Sequence, residues 1–430
     1  GNKGETGQPD EAERSSEAEQ PGDIIQSDEV VVIRLAPETE GQTSTIKPSK
    51  DIVDAALQKL KEENKSTITF ALSGKDDNAN GGSEVSRLVI TGDVLDSITD
   101  SEASAVVFET PFSKMAIEKD TINAIKQIAL KTGEMQDITI QISKTDVGKY
   151  PEGLKELIGN KPVYDFSIMV GDRYLEDITD VPLPLILEIG NIPEEDRLIN
   201  ENQIVGAYIT EDGKYRLIPL SALVDGKLII KTTHNSLYGA LYNNIKFDDV
   251  SGWAEDFIAF LSARGVINGK GNNKFDPKNN ITRGEFVKIM AVIADADTSK
   301  FTASNFKDVD KDKWYAPYIE WAYTYGLLNG VGNGMFAPDN NITREDMAVL
   351  ISRFAEKLRY KLPALYEEKV FKDSADIAGY AGGSVKSIQK AGIIIGRPDG
   401  TFAPKDNATR EEAAKVFTVL INLLVVSKGW

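Results

Sequence analysis

The sequence predicts an α+β multidomain chain, a β-rich N-terminal region followed by tandem helix–loop–helix repeats. Three observations predict it. Strand-like runs, some closed by Asp-Gly turns, fill the chain up to about residue 245. From Phe247 the pattern changes to short apolar helices joined by Gly- and Asn-rich loops, in three copies. At 430 residues, the chain is long enough for two to four domains.

Residues 1–27 are rich in Glu, Asp, Gln, Ser, Gly and Pro and contain no aromatic side chain. Such a segment cannot bury enough apolar surface to offset chain entropy, so a disordered acidic linker is expected. Order begins with a strand at 30–35. Residues 51–62 carry Ile52, Val53, Ala56, Leu57 and Leu60 at helical spacing, and 67–72 form the next strand. A strand at 105–109, a helix at 120–131 and a strand at 138–142 repeat that order, which suggests an internal duplication. Further strands fall at 163–170 and 185–189. Asp212-Gly213 and Asp225-Gly226 each sit between two apolar runs, a hairpin signal. Residues 28–245 thus read as one or two β-rich spacer domains with a few helices.

The three copies align feature by feature. The first has Phe247, Asp249, Trp253, Gly265, Gly269, Phe275, Pro277 and Ile281-Thr282-Arg283-Gly284-Glu285. The second has Phe306, Asp308, Trp314, Gly326, Gly330, Phe336, Pro338 and Ile342-Thr343-Arg344-Glu345-Asp346. The third has Phe371, Asp373, Tyr380, Gly392, Gly396, Phe402, Pro404 and Ala408-Thr409-Arg410-Glu411-Glu412. The expected limits are 246–303, 304–367 and 368–430. A repeat this small cannot bury both of its helices, so the copies should share one core. Thr with an acid three residues later reads as a capping box. The Arg beside it is unfavourable at the positive end of a helix dipole, so an anion is expected to offset the cost.

Composition narrows function. The net charge is −18, and residues 247–430 are neutral, with 24 basic and 24 acidic side chains. The first 246 residues therefore carry the whole excess, which argues against nucleic-acid binding. There is no cysteine and one histidine, which excludes disulfides, thiol nucleophiles and multi-His metal sites. No apolar run is long enough to span a bilayer. Asp308-x-Asp310-x-Asp312 begins like a calcium loop, but Lys313 and Ile319 stand where an EF-hand needs Gly and Glu. No nucleophile elbow, phosphate loop or zinc signature occurs, so neither catalytic residues nor a cofactor nor a metal is expected.

The combined motif resembles the S-layer homology (SLH) repeats of bacterial surface proteins over about 247–430. The region before it resembles, more loosely, the β-rich module that often precedes such repeats. The resemblance implies a pseudo-threefold, all-α SLH trimer with grooves between repeats. It also implies a secreted chain held to the cell wall or S-layer through secondary cell wall polysaccharide attached to peptidoglycan, often a polymer of pyruvylated N-acetylmannosamine. Carried over residue by residue, Arg283, Arg344 and Arg410, with the helix N-termini, would hold the sugar carboxylate. Trp253, Trp314 and Tyr380 would line the grooves. Asp249, Asp308 and Asp373 would accept hydrogen bonds from sugar or fix the groove.

A plainer reading stands beside each of these. The Arg residues could form surface salt bridges with the acid one or two positions on, the rings could be core anchors, and the Asp residues could cap turns. The third copy departs from the motif at Ser374, Tyr380, Pro398 and Ala408 and is expected to have the weakest groove. Three grooves on one polymer would add avidity. Two alternatives remain at this stage: the anchor of a glycoside hydrolase whose catalytic module lies upstream or within 28–245, and a lattice subunit that self-associates in a surface layer.

Overall fold

The computed structural model describes residues 24–26, 29–73, 84–131, 135–175, 184–190 and 192–426. The expected linker falls mostly outside these residues. Its end differs from expectation, because Ile24–Gln26 forms a strand, β1, paired antiparallel with the next. Backbone pairing with a neighbouring strand needs no aromatic or apolar composition.

The β-rich region follows in order as β2 Val30–Leu35, β3 Glu38–Glu40, β4 Thr43–Ile46, α1 Lys50–Glu62, β5 Thr67–Leu72, β6 Val85–Ile90, α2 Gly92–Asp100, β7 Ala105–Glu109 and β8 Ser113–Glu118. It continues with α3 Lys119–Leu130, β9 Ile138–Lys144, α4 Glu152–Ile158, β10 Val163–Val170, β11 Arg173–Tyr174, β12 Leu185–Ile189 and α5 Glu194–Asn200. It ends with β13 Ile204–Ile209, β14 Tyr215–Leu217, β15 Ser221–Val224, β16 Lys227–Thr232 and β17 Ser236–Tyr242. Both Asp-Gly hairpins form, joining β13 to β14 and β15 to β16.

Two mixed sheets result. One runs β1-β2-β5-β7-β8-β12-β16-β15, the other β14-β13-β17-β10-β9-β6-β4-β3. The two strand–helix–strand passages are not topological copies. β2 and β5 are parallel neighbours, whereas β7 and β9 lie in different sheets with β8 inserted between them in sequence.

Strand alternation decides which face meets what. Val106, Phe108, Ile117, Leu187 and Ile230 join a core shared by both sheets and α1–α3. Their neighbours Val107, Ala116, Ile186 and Ile229 face the other way and join the core of the C-terminal helices. Those helices are α6 Glu255–Ala263, α7 Arg283–Ile293, α8 Ala316–Thr324, α9 Arg344–Lys357, α10 Gly382–Lys390 and α11 Arg410–Val426. Among the described residues no helix is long and apolar enough to cross a membrane.

Each repeat supplies two helices and cannot bury them alone. The second helix of one repeat packs on the first helix of the next: α7 on α8, α9 on α10, and α11 back on α6. The core therefore closes on itself. Phe286 and Phe417 meet within it, with ring centroids 4.6 Å apart. Inside each repeat the leading Phe packs against the second Gly. A Cβ at Gly269, Gly330 or Gly396 would fall 2.6, 2.7 or 2.4 Å from a ring carbon of Phe247, Phe306 or Phe371.

Arg264, at the end of α6, fastens this helical part to the sheets. It is fully buried and donates to the carbonyls of Ser221, Asn202, Ile204 and Phe260 at 2.7–3.0 Å. Its guanidinium also lies 3.4 Å from the Phe260 ring centroid.

Candidate functional site

Three backbone hydrogen bonds form a closed ring where the repeats meet. The Ile281 N–H donates to the Ala408 carbonyl (3.0 Å), Ala408 to Ile342 (2.9 Å) and Ile342 to Ile281 (3.1 Å). The helices that start here are capped from two directions. Thr282 and Glu285 form a reciprocal capping box, as do Thr409 and Glu412, while Thr343 accepts from the Asp346 N–H without the return bond. The neighbouring repeat caps the amides that remain. Arg283 and Gly284 donate N–H to the carbonyls of Asn340 and Pro338, Arg344 and Glu345 to Asp406 and Pro404, and Arg410 and Glu411 to Asn279 and Pro277. This corrects one expectation. The helix N-terminal amides are already satisfied by protein carbonyls and are not free to hold a sugar carboxylate.

The three Arg side chains lie beside the ring and are only 7, 5 and 3% exposed. Each crosses into the next repeat. Nε of Arg283, Arg344 and Arg410 donates to the carbonyl of Phe336, Phe402 and Phe275. The guanidinium sits 4.8, 5.5 and 4.5 Å from the centroid of that same Phe ring. Nη1 pairs with Asp346 (2.8 Å), Glu412 (2.8 Å) and Glu285 (3.5 Å).

The anion that offsets the dipole cost is thus a carboxylate of the neighbouring repeat, not the acid one or two residues on. Burial pulls all three guanidinium pKa values down, and the facing carboxylates oppose it. One donor differs among the three. Nη2 of Arg410 donates to the Asn268 carbonyl at 2.8 Å. Nη2 of Arg283 and of Arg344 has no hydrogen-bond partner among the described residues and is not sealed from solvent.

Asp249, Asp308 and Asp373 all do one job. Each carboxylate accepts two successive backbone N–H groups at 2.7–2.9 Å, from Phe275 and Asp276, Phe336 and Ala337, and Phe402 and Ala403. The second residue of each pair has a left-handed φ of 58, 59 or 57°, which turns both amides toward one carboxylate. Both oxygens are engaged, so these residues hold the Phe-x-Pro loop. No cluster of acids able to hold a metal ion occurs among the described residues.

Trp253, Trp314 and Tyr380 are exposed, at 51, 51 and 63%. Each meets a side chain of another repeat. Trp314 faces Lys288, which lies five residues after Arg283, with Nζ 5.5 Å from the ring. Trp253 faces Lys415, five residues after Arg410, at 5.9 Å. At the junction of the second and third repeats Val349 stands at that position, and Tyr380 donates its hydroxyl to Asp346 (2.8 Å) and Glu345 (3.3 Å). Each junction draws on two repeats: Lys415, on the third repeat's helix that starts at Arg410, faces Trp253 of the first repeat. Lys288 and Lys415 escaped sequence reasoning because they lie outside the repeated motif.

His234 is the only histidine of the chain. Its Nδ1 lies within 3.1 Å of Thr232 Oγ1 and Tyr238 Oη, and burial lowers its pKa.

The S-layer homology domain family matches residues 246–287, 305–348 and 370–414, one match per repeat. Residues 246–414 hold a triplet of S-layer homology domains. The chain is 27% identical, over 77% of its length, to an amylopullulanase of Thermoanaerobacterium thermosulfurigenes, of which it covers 17%. It is 34% identical over 43% of its length to exoglucanase XynX of Acetivibrio thermocellus, again covering 17%. It is 32% identical over 38% to the S-layer protein sap of Bacillus anthracis, covering 19%. The chain thus spans less than a fifth of these relatives. The SLH triplet marks a chain of the bacterial cell wall or surface layer, where SLH domains anchor proteins.

Proposed function

We propose that the SLH triplet anchors this chain by binding an anionic secondary wall polysaccharide in the grooves between repeats. The observation that carries this reading is the pairing of an exposed aromatic face with a cation where two repeats meet, at Trp314 with Lys288 and at Trp253 with Lys415. Apolar ring faces suit sugar CH groups, and guanidinium and ammonium donors suit a carboxylate such as a ketal pyruvate. The binding unit is the closed set of three repeats within 246–430, with a pseudo-threefold arrangement, and residues 28–245 form a β-rich platform beneath it. Soluble polymer released from the same walls should displace the chain from wall sacculi. Failure of excess polymer to displace it would overturn the reading.

A second reading concerns the parent protein. The match to the amylopullulanase extends over 77% of this chain and so takes in much of the β-rich region as well as the repeats. That favours an anchoring part shared with polysaccharide-degrading enzymes. The parent gene, read upstream of Gly1, tests it: a glycoside hydrolase module there would support it, and an uninterrupted surface-layer sequence would not.

A further inference from the structure

The three repeats have equivalent side faces, and two of them are covered. In the first repeat Ser262 and Arg264 are buried where α6 meets the sheets, and a Cβ on Gly265 would lie 3.8 Å from Leu217 of β14. In the third repeat the preceding linker does the covering. Gln389 accepts the Lys369 N–H and donates to the Glu367 carbonyl, and the Tyr366 ring lies 2.5 Å from where a Cβ on Gly392 would fall. In the second repeat nothing lies within 4 Å of a Cβ on the equivalent Gly326.

That open face is apolar. Tyr323, Tyr325, Val331 and Met335 are 38–54% exposed. Their counterparts are Ser262, Arg264, Lys270 and Lys274 in the first repeat, and Gln389, Ala391, Arg397 and Thr401 in the third. Phe306 links much of the patch. Its ring packs edge-on to Tyr323 with centroids 5.1 Å apart and under Gly330, and the next residue, Val331, donates its N–H to the Met335 carbonyl at 2.8 Å. Lysines rim it. Lys357 Nζ lies 4.1 Å from the Tyr325 ring centroid, and the Lys307 stem passes 3.3 Å from where a Cβ on Gly334 would fall. Neither lysine makes an ion pair among the described residues.

A second apolar patch has the opposite rim. On α5, Leu198 and Ile199 are 78 and 64% exposed. The helix is pinned from beneath, because Asp196 faces the buried Lys161 at 3.5 Å and the Arg197 guanidinium packs on Gly226. Glu194, Glu195 and Glu201 flank the pair in sequence, exposed and without an ion pair among the described residues. Both patches are open in the same chain, so neither covers the other. Exposed apolar surface inside a polar rim marks a contact site.

We propose that copies of this chain associate head to tail, with α5 of one copy docked on the second-repeat face of the next. Leu198 and Ile199 meet the surface of Tyr323, Val331 and Met335, and the glutamates of α5 meet Lys307 and Lys357. The rim charges choose this pairing, since each patch repels its own kind. Two unlike surfaces leave every pair with one of each still free, so the contact propagates. It is separate from wall binding, because neither patch includes a residue assigned to that function. Both patches are small, so a single contact is weak.

Sedimentation equilibrium of the full chain in dilute buffer tests this. The average mass should rise with concentration past that of two chains, and about 0.5 M salt should weaken the association severalfold by screening the rims. The double variant Leu198→Asp/Ile199→Asp blocks one surface, and Val331→Asp/Met335→Asp blocks the other. All four side chains are exposed, so circular dichroism spectra should be unchanged. Each variant alone should associate at least about tenfold more weakly. An equimolar mixture of the two retains one intact contact and should form a complex of two chains and nothing larger. A monomer at every concentration up to about 0.5 mM would overturn the proposal and leave the patches to a different protein. An unaltered chain that stops at two copies would overturn the head-to-tail arrangement. Association that ignores salt, that persists in either variant, or that the mixture fails to restore would overturn the pairing of these two surfaces.

Discussion

The Arg283 guanidinium lies 2.8 Å from the Asp346 carboxylate, across the boundary between the first and second repeats. Arg344 with Glu412 and Arg410 with Glu285 complete the circuit. The residues that most suggested a ligand are therefore also the struts that join the repeats. Arg283→Ala leaves a part-buried carboxylate without its partner and removes the donor to the Phe336 carbonyl. A loss of roughly 3–5 kcal/mol in unfolding free energy is expected, measured by urea denaturation. Arg283→Ala combined with Arg344→Ala should unfold the triplet rather than leave an intact fold that cannot bind. A melting curve identical to the parent's would contradict the strut role.

Asp308 makes a different kind of joint. Its two oxygens hold the Phe336 and Ala337 amides, and Ala337 keeps its left-handed φ with that support. Asp308→Ala strands both donors and should cost roughly 2–4 kcal/mol. Asp308→Asn, which keeps one acceptor, should cost less.

The same geometry sets an acid limit. At Asp249 and Asp373 burial pushes the carboxyl pKa up, but the two backbone N–H donors outweigh it, and both titrate below the usual 3.8. A carboxyl with a depressed folded pKa contributes stability that is fully present above its unfolded value and is lost as pH falls through the folded one. Denaturation midpoints should hold down to about pH 4 and then fall steeply. Replacing both residues by Asn should flatten that fall.

Arg264 joins the platform to the anchor without any carboxylate partner. Four carbonyls carry its charge, three of them from the β-rich region. With Val107, Ala116, Ile186 and Ile229 packed into the helical core, the two regions should melt together. Arg264→Met keeps the stem and removes every donor. A single calorimetric transition in the parent should split in the variant, with the helical part melting first. Two transitions already present in the parent would show that the joint is loose.

The parts of this architecture that depend on near neighbours in sequence were legible. The Thr282–Glu285 cap, the two Asp-Gly hairpins and the helix of 51–62 each rest on contacts within a few residues. The dipole argument asked for an anion beside Arg283 and read it as a sugar carboxylate; the carboxylate found there is Asp346, 63 residues away, which follows only from ring closure. Strands β6 and β8 carry Arg87 and Lys114 among their apolar residues, so composition does not mark them as strands. The pairing of each exposed ring with a side chain of another repeat was invisible because it too follows only from ring closure.

Sedimentation with wall sacculi reads the anchoring itself, using sacculi before and after chemical extraction of their secondary polysaccharide. The chain should pellet with intact sacculi and stay in the supernatant with extracted ones. Equal pelleting with both, or none with either, would contradict it.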